Sequence, residues 1–330
     1  MIKFAIAGAG FISKIHAKAL QSQADVELVS VVERYSKTAQ PFLAQFAVKN
    51  HYKTVDELLE KDPVDAVIIG TPNFLHVTQA VAALDAGVHV MVEKPMAMNA
   101  REANLMVEAS QRSGALLMVA HCWRFDPEVL WLRKQVESGR FGEIIRTKGY
   151  GVHVNWGPSG WFTRKKWAGG GAMADMGVHA LDTARFLLGD PLPESVYARI
   201  GTYYTNSDVD DTGTVLVNWQ GGVQTYIEAG WWQPHADGPE AATQIYGKQA
   251  FGQLFPTYIT DQAGTEDPGF TYPRKEHAPQ SLYNQQLGYF VQCIANQNTP
   301  TPGGMEGLIN MKIVDAAYKS SKSGKVVYLE

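Results

Sequence analysis

The 330 residues hold only two cysteines, Cys122 and Cys293, and neither stands at metal-ligand spacing. This excludes a disulfide framework and a cysteine-based metal module, and a reduced, cytoplasmic protein is expected. The histidines His16, His51, His89 and His277 show no ligand spacing either, so no metal is assigned. An excess of one charge is also missing. Lys and Arg number 29 against 33 Asp and Glu, a formal net charge of −4 that offers no basic field for nucleic acid. No apolar run reaches the roughly 20 residues that cross a bilayer. The chain opens directly on a core strand, so neither a membrane span nor a signal peptide is expected. There is no internal repeat and no low-complexity tract. What remains, 45% hydrophobic and 19% charged residues, is the composition of a soluble globular enzyme, and the length suits two domains.

The first motif lies at the start of the chain. Ile2-Lys-Phe-Ala-Ile-Ala-Gly8-Ala-Gly10-Phe11-Ile12-Ser13 is a short apolar strand that breaks into glycines and continues as a helix. Gly8 permits the tight turn, Gly10 removes a Cβ that would block phosphates, and the helix N-terminus turns free N–H groups toward negative charge. Ser13 takes the third small position, which needs only close helix–strand packing. The next strand, Val26–Glu33, ends in an acid 20 residues after Ser13 (33 − 13), where a ribose-binding carboxylate belongs.

Up to about residue 121, apolar strands alternate with helical segments: Ala66–Gly70, Val77–Ala86, His89–Glu93, Ala100–Arg112 and Ala115–Ala120. Uninterrupted apolar runs indicate strands buried on both faces of a parallel sheet. Gly87 and Gly114 suit left-handed helix ends. Residues 1–121 are therefore read as an α/β, doubly wound Rossmann domain. Residues 122–330 read differently. A helix opened by Asp126-Pro127 runs to Val136, and strands follow at Glu143–Val154, Ser195–Tyr204, Thr212–Trp219 and Val223–Trp232. Gln220-Gly-Gly222 makes the last hairpin, one helix covers Gly171–Leu188, and Asp261–Glu276 is an irregular excursion. Helices Gln280–Asn296 and Met305–Ser323 close the chain. This half is an α+β domain with an open, mainly antiparallel sheet for substrate binding and oligomerisation. One sheet face, carrying Tyr197, Tyr203, Tyr226 and Ile245, is expected to be exposed and to join copies as a homodimer or homotetramer.

Ligands of open α/β sheets bind outside the carboxyl ends of the strands. There the chain places Gly70-Thr71-Pro72-Asn73 with His76, Glu93-Lys94-Pro95, and His121-Cys-Trp-Arg124-Phe. A lysine between an acid and a proline is fixed in direction; a plain Lys–Glu pair closing the strand is the alternative. In Gly169-Gly-Gly-Ala-Met-Ala-Asp175-Met-Gly-Val-His179, the acid and the imidazole are four apart and share a helix face. They read as a chemical pair or as a structural one.

In order and spacing these motifs resemble the glucose–fructose oxidoreductase / inositol dehydrogenase / MocA family of NAD(P)-dependent sugar and polyol dehydrogenases. The resemblance runs on through Arg124-Phe-x-Pro127, Val209-Asp-Asp-Thr212 and Ala316-Ala-Tyr-x-Ser320. It implies a nicotinamide cofactor held by Gly8, Gly10, Phe11, Ile12, Glu33, Arg34, Thr71, Pro72, Asn73, His76, Glu93, Lys94 and Arg124. It also implies a carbohydrate substrate, with His179 transferring the hydroxyl proton, Lys94 stabilising the reacting oxygen, and Asp175 binding substrate or orienting the histidine. A reference pKa near 6.5 suits His179 to that work.

Glu33 favours NAD, since a carboxylate accepts ribose hydroxyls and repels a 2′-phosphate; Arg34 beside it leaves NADP open. Arg124 is a candidate for cofactor or substrate oxygen, or for pairing with an acid. Substrate contacts are expected from Lys94, Arg124, His153, Asn155, Asp175, His179 and Trp231. Trp156 ends the same strand as His153 and Asn155, where the resemblance implies contacts to sugar hydroxyls, while Trp161, Trp167, Trp231 and Trp232 read equally as sugar-stacking or packing aromatics. The loops Gly157–Trp167 and Pro234–Ala242 are expected to set which sugar is bound. The expected activity is hydride transfer between a hydroxyl or carbonyl carbon of a sugar, polyol or inositol-like molecule and nicotinamide. The alternatives are a redox-neutral NAD-dependent glycosidase and a non-catalytic dinucleotide sensor.

Overall fold

The computed structural model describes residues 1–236, 240–269 and 278–329. Residues 237–239 of the Pro234–Ala242 loop, 270–276 of the excursion and His277 lie outside the described residues. The chain forms two compact units: Met1–Cys122 with Ala278–Leu308, and Trp123–His277 with Ile309–Glu330.

In chain order the elements are β1 (Ile2–Ala7), α1 (Phe11–Gln21), β2 (Val26–Val32), α2 (Ser36–Phe46), β3 (Asn50–Tyr52), α3 (Val55–Lys61), β4 (Ala66–Ile69), α4 (His76–Asp85), β5 (His89–Val92), α5 (Ala100–Ser113) and β6 (Leu117–Val119). Then come α6 (Pro127–Glu137), β7 (Ile144–Val154), α7 (Lys165–Ala168), α8 (Val178–Leu187), β8 (Pro193–Gly201), β9 (Thr212–Trp219), β10 (Gln224–Gln233), β11 (Ala241–Gly247), β12 (Ala250–Leu254), β13 (Tyr258–Asp261) and β14 (Glu266–Asp267). The chain closes with α9 (Gln280–Asn296), α10 (Gly304–Ser323) and β15 (Val327–Tyr328).

The first unit is a six-stranded parallel sheet in the order β3-β2-β1-β4-β5-β6. Phe4 to Ala7, Ala66 to Ile69 and Val90 to Val92 have no accessible surface, as strands covered on both faces require. Side chains start the helices: Thr54 accepts the Glu57 N–H, and Asn99 the Glu102 N–H. Gly114 ends α5 in the left-handed region, and Gly87 follows α4 with φ +79°.

The sequence pattern assigns the whole helical tail to residues 122–330, and here the structure differs. Helix α9 lies along α1, with Phe290 edge-on to Phe4 (6.4 Å between ring centres) and Tyr283 edge-on to His16 (5.7 Å). Residues 278–308 therefore complete the first unit. An amphipathic stripe records that a helix is buried, not which sheet it covers.

The second unit is built on a nine-stranded sheet in the order β14-β13-β12-β11-β7-β10-β9-β8-β15. Among the described residues, only the β7–β10 pair of this sheet is parallel. One face packs beneath helices, with Val129, Leu132, Phe141, Leu187, Ile245, Leu254 and Ile259 in a shared core. Ile245, expected on the exposed face, is fully buried in that core because the alternation of β11 turns it inward. On the opposite face, Tyr197, Leu216, Tyr226, Lys148 and Gln244 stand in one register row across five strands. Tyr197 and Tyr226 are exposed there, whereas Tyr203 lies beyond the end of β8. Strand β8 stops at Gly201, short of the expected Tyr204, because Asp211 draws the N–H groups of Tyr203, Tyr204 and Thr205 onto its carboxylate.

Candidate functional site

In the first unit, β1 gives way to α1 through Gly8 and Gly10. Gly8 has φ +95°, and a Cβ there would sit 2.8 Å from the Gly70 carbonyl oxygen, so this close approach of two strand ends admits only glycine. Ser13 is fully buried beside Gly70, as the third small position requires. Gly10 caps α1 in an extended conformation with no side-chain hydrogen bond to the helix. A Cβ at Gly10 would meet no atom of the chain within 4 Å. Open space beside uncapped helix N–H groups fits the pyrophosphate of a dinucleotide. Phe11 is exposed and Ile12 half-buried at the same turn.

Glu33 follows β2, half-buried, with one carboxylate oxygen accepting the Tyr35 N–H at 3.1 Å. Its own carbonyl faces His51 Nε2 at 2.7 Å. Arg34 is exposed, its guanidinium 6.0 Å from the Tyr35 ring centre. These residues fit a ribose between an acceptor and a cation.

The other strand ends separate the expected ligands from the residues that hold them. Thr71 donates to Gln79 at 2.7 Å, and Pro72 is half-buried. Asn73 is buried at the helical turn that opens α4. His76 and Glu93, both expected at the cofactor, are buried and engaged with the chain itself. His76 lies between the carbonyls of Thr71 (2.8 Å) and Pro95 (3.1 Å), and the Glu93 carboxylate meets His16 at 2.8 Å. Burial turns these two side chains inward, while Lys94, between Glu93 and a proline, stays half-exposed.

In the second unit the expected helix Gly171–Leu188 begins instead with a π turn, Met173–Gly177, before α8. Asp175 lies in this turn and His179 in the first turn of α8, both half-exposed. The residue that starts the helix is Asp210. Its carboxylate accepts the N–H groups of Gly171 and Met173, each at 2.8 Å, and the Tyr318 hydroxyl at 2.7 Å. Burial pushes the Asp210 pKa up, while the Met173 N–H, the Tyr318 hydroxyl and the Gly171 N–H pull it down. The Asp-Asp pair in Val209–Thr212 is visible in the sequence, but its task is not. Asp210 caps the helix that carries His179, and Asp211 ends β8.

His179 is braced by Trp123, whose buried ring lies 4.8 Å away, tilted by 31°. Trp231, expected at the substrate, is 1% exposed, and its indole N–H donates to Asp175 at 3.2 Å; it supports the acid from within the core. Arg124, expected at cofactor or substrate, is 3% exposed and donates to Asp182 (2.8 Å, twice) and Asp190 (2.7 and 3.0 Å). Burial opposes its charge, but the two carboxylates outweigh burial and raise the arginine pKa above its ordinary value. Asp182 also accepts the Asn310 amide at 2.8 Å. Arg124 thus takes the ion-pair alternative, and Asp182 ties it to the helix one turn beyond His179.

His153 is buried and stacked on Trp156 at 3.6 Å, and Asn155 is exposed with φ +58°. The Trp156 indole N–H donates to Glu240. Trp232 is 40% exposed, and Trp161 stacks on Phe162 at 3.8 Å. Among the described residues there is no cluster of His, Cys, Asp and Glu that would hold a metal, and no helix is long and apolar enough to cross a membrane.

Residues 2–121 match the family model described as the oxidoreductase family with NAD-binding Rossmann fold, and residues 129–251 match the GFO/IDH/MocA C-terminal domain. The chain is 31% identical over 321 residues to glucose-6-phosphate 3-dehydrogenase of Bacillus subtilis (strain 168), covering 94% of this chain and 82% of that one. It is 28% identical over 346 residues to D-glucoside 3-dehydrogenase of Escherichia coli (strain K12), covering 99% and 97%. The fold matches levoglucosan dehydrogenase in complex with NADH with a TM-score of 0.89 at 22% identity, over 100% of this chain and 99% of that one.

Removing the cap is the direct test of the helix start. Asp210→Ala removes the acceptor of the Met173 N–H and of the Tyr318 hydroxyl and leaves the Gly171 N–H only Tyr318, and should lower the unfolding free energy by about 3 kcal/mol in urea titration. A loss below about 0.5 kcal/mol would show that the helix start does not depend on this carboxylate.

Proposed function

Because the chain belongs to the glucose–fructose oxidoreductase / inositol dehydrogenase / MocA family of oxidoreductases and carries its NAD-binding Rossmann domain, we propose that it oxidises a secondary or anomeric hydroxyl of a sugar, polyol or inositol-like substrate, or reduces the matching carbonyl. One observation carries the proposal. The second unit presents an imidazole and a carboxylate one turn apart on a helix whose start is locked by a buried acid. The names of the relatives support a carbohydrate substrate.

The residues divide the work. The N–H groups at the start of α1, with Gly8 and Gly10, receive the pyrophosphate, and Glu33 accepts the ribose hydroxyls. Bound NAD supplies the hydride acceptor. His179 takes the hydroxyl proton at its imidazole, and the Trp123 ring limits how that imidazole can turn. Lys94 stabilises the negative charge that develops on the reacting oxygen. Asp175, held by the Trp231 N–H, orients the histidine or accepts a neighbouring hydroxyl. Arg124 acts from behind the helix through Asp182. The exposed Tyr197 and Tyr226, with half-exposed Leu216 between them, support association with a second copy of the chain.

A panel of glucosides, glucose 6-phosphate, aldoses and inositols, followed at the absorbance of the reduced nicotinamide, identifies the substrate. On the sugar that turns over, Lys94→Ala and His179→Ala should each lose about 10²- to 10⁴-fold in kcat, with the NADH dissociation constant unchanged. Lost NADH binding in His179→Ala would assign that residue to the wrong ligand. Glu33→Ala should narrow the preference for NADH over NADPH in fluorescence titration; an unchanged ratio would remove Glu33 from the ribose site. Light scattering should give twice or four times the 36.3 kDa chain mass, and a monomeric mass would overturn the role of the sheet face.

A further inference from the structure

Lys94 stands two residues past the end of β5, in a loop, yet the task proposed for it requires an ammonium group fixed in place. Two buried histidines brace that loop from either side. His16, on α1, has no accessible surface, and its Nε2 lies 2.8 Å from Glu93 Oε1. The other carboxylate oxygen, Oε2, accepts the Lys94 backbone N–H at 3.1 Å. A carboxylate oxygen accepts, so His16 donates to Glu93 through Nε2, while its Nδ1 has no hydrogen-bond partner among the described residues. Tyr283 closes the far side, its ring perpendicular to the imidazole, and burial drives the pKa of its hydroxyl upward, so it stays a neutral wall.

Beyond Lys94, His76 stands between the Pro95 carbonyl, 3.1 Å from Nδ1, and the Thr71 carbonyl, 2.8 Å from Nε2. Burial lowers its pKa against the pull of Thr71, Pro95 and Glu93, and each ring nitrogen faces one carbonyl oxygen. The Lys94 N–H and the Pro95 carbonyl thus each meet an imidazole on a neighbouring helix, the first through the Glu93 carboxylate and the second directly.

We propose that His16 and His76 are positioning residues that fix the direction in which Lys94 leaves the strand. The proposal rests on the reading of Lys94 as the group that meets the reacting oxygen. It moves His76 and Glu93 away from cofactor contact and gives His16, which matches no ligand pattern in the sequence, a task.

The test uses variants that keep or remove a single donor. Gln reproduces a donor near the imidazole Nε2 position and Asn one near Nδ1. His16→Leu should speed hydrogen–deuterium exchange of the Lys94 amide about tenfold or more and lower kcat on the panel sugar about tenfold or more. His16→Gln should stay within about threefold of the parent in both. His76→Asn should retain more kcat than His76→Gln, because it keeps the contact to Pro95. NADH affinity, read by fluorescence titration, should change less than about threefold in all four. Equal losses in His16→Leu and His16→Gln, or loss of NADH affinity together with kcat, would overturn the proposal. Lys94→Ala separates the two readings. If it leaves kcat intact, the role of Lys94 fails. If it abolishes kcat while His16→Leu exchanges and turns over like the parent, only the bracing fails.

Discussion

Burial of the central strands on both faces decides where this protein can do chemistry. Phe4 to Ala7, Ala66 to Ile69 and Val90 to Val92 have no contact with solvent, and side chains placed there can only pack. The groups free to meet a ligand therefore gather where strands end: Gly8 and Gly10 after β1, Glu33 after β2, Thr71 after β4, and Lys94 after β5. The same burial makes these ends close-packed. The Gly8–Gly70 approach leaves no room for a Cβ, and it brings α1 down onto the sheet so that His16 can reach Glu93.

The second unit meets a different demand, that of holding a helix start rigidly. A π turn is a rare interruption of helical geometry, and here it carries Asp175 one turn ahead of His179. Outside groups hold it in place. Asp210 caps its N–H groups, Tyr318 shares that carboxylate, Trp231 supports Asp175, and Arg124 grips Asp182 one turn on. Asp210, Trp231 and Arg124 are buried, so their bonds are stronger than they would be in water and costly to leave unmade.

The motifs visible in the sequence are those whose geometry is local. A glycine turn between strand and helix, an acid ending the next strand, a lysine between an acid and a proline, and an acid and histidine four apart all follow from neighbouring residues. The side chains whose partners the sequence did not show are those that meet residues far along the chain. Arg124 meets acids at 182 and 190, His76 meets the carbonyl of Pro95, and Trp231 meets Asp175. Polar residues at strand ends look alike in sequence whether they face a ligand or the chain itself. Only burial separates Lys94, half-exposed, from Glu93 beside it.

The sequence by itself determined the doubly wound first sheet, the mainly antiparallel second one, the dinucleotide turn and the register of its glycines. These depend on hydrophobic periodicity and on backbone conformations that a few residue types allow. Tertiary structure alone decided that α9 covers α1, that Ile245 points into the core, that the helix of His179 opens as a π turn, and which polar side chains turn inward as supports. Those outcomes depend on contacts between residues tens to hundreds of positions apart, where periodicity carries no address and packing chooses the partner.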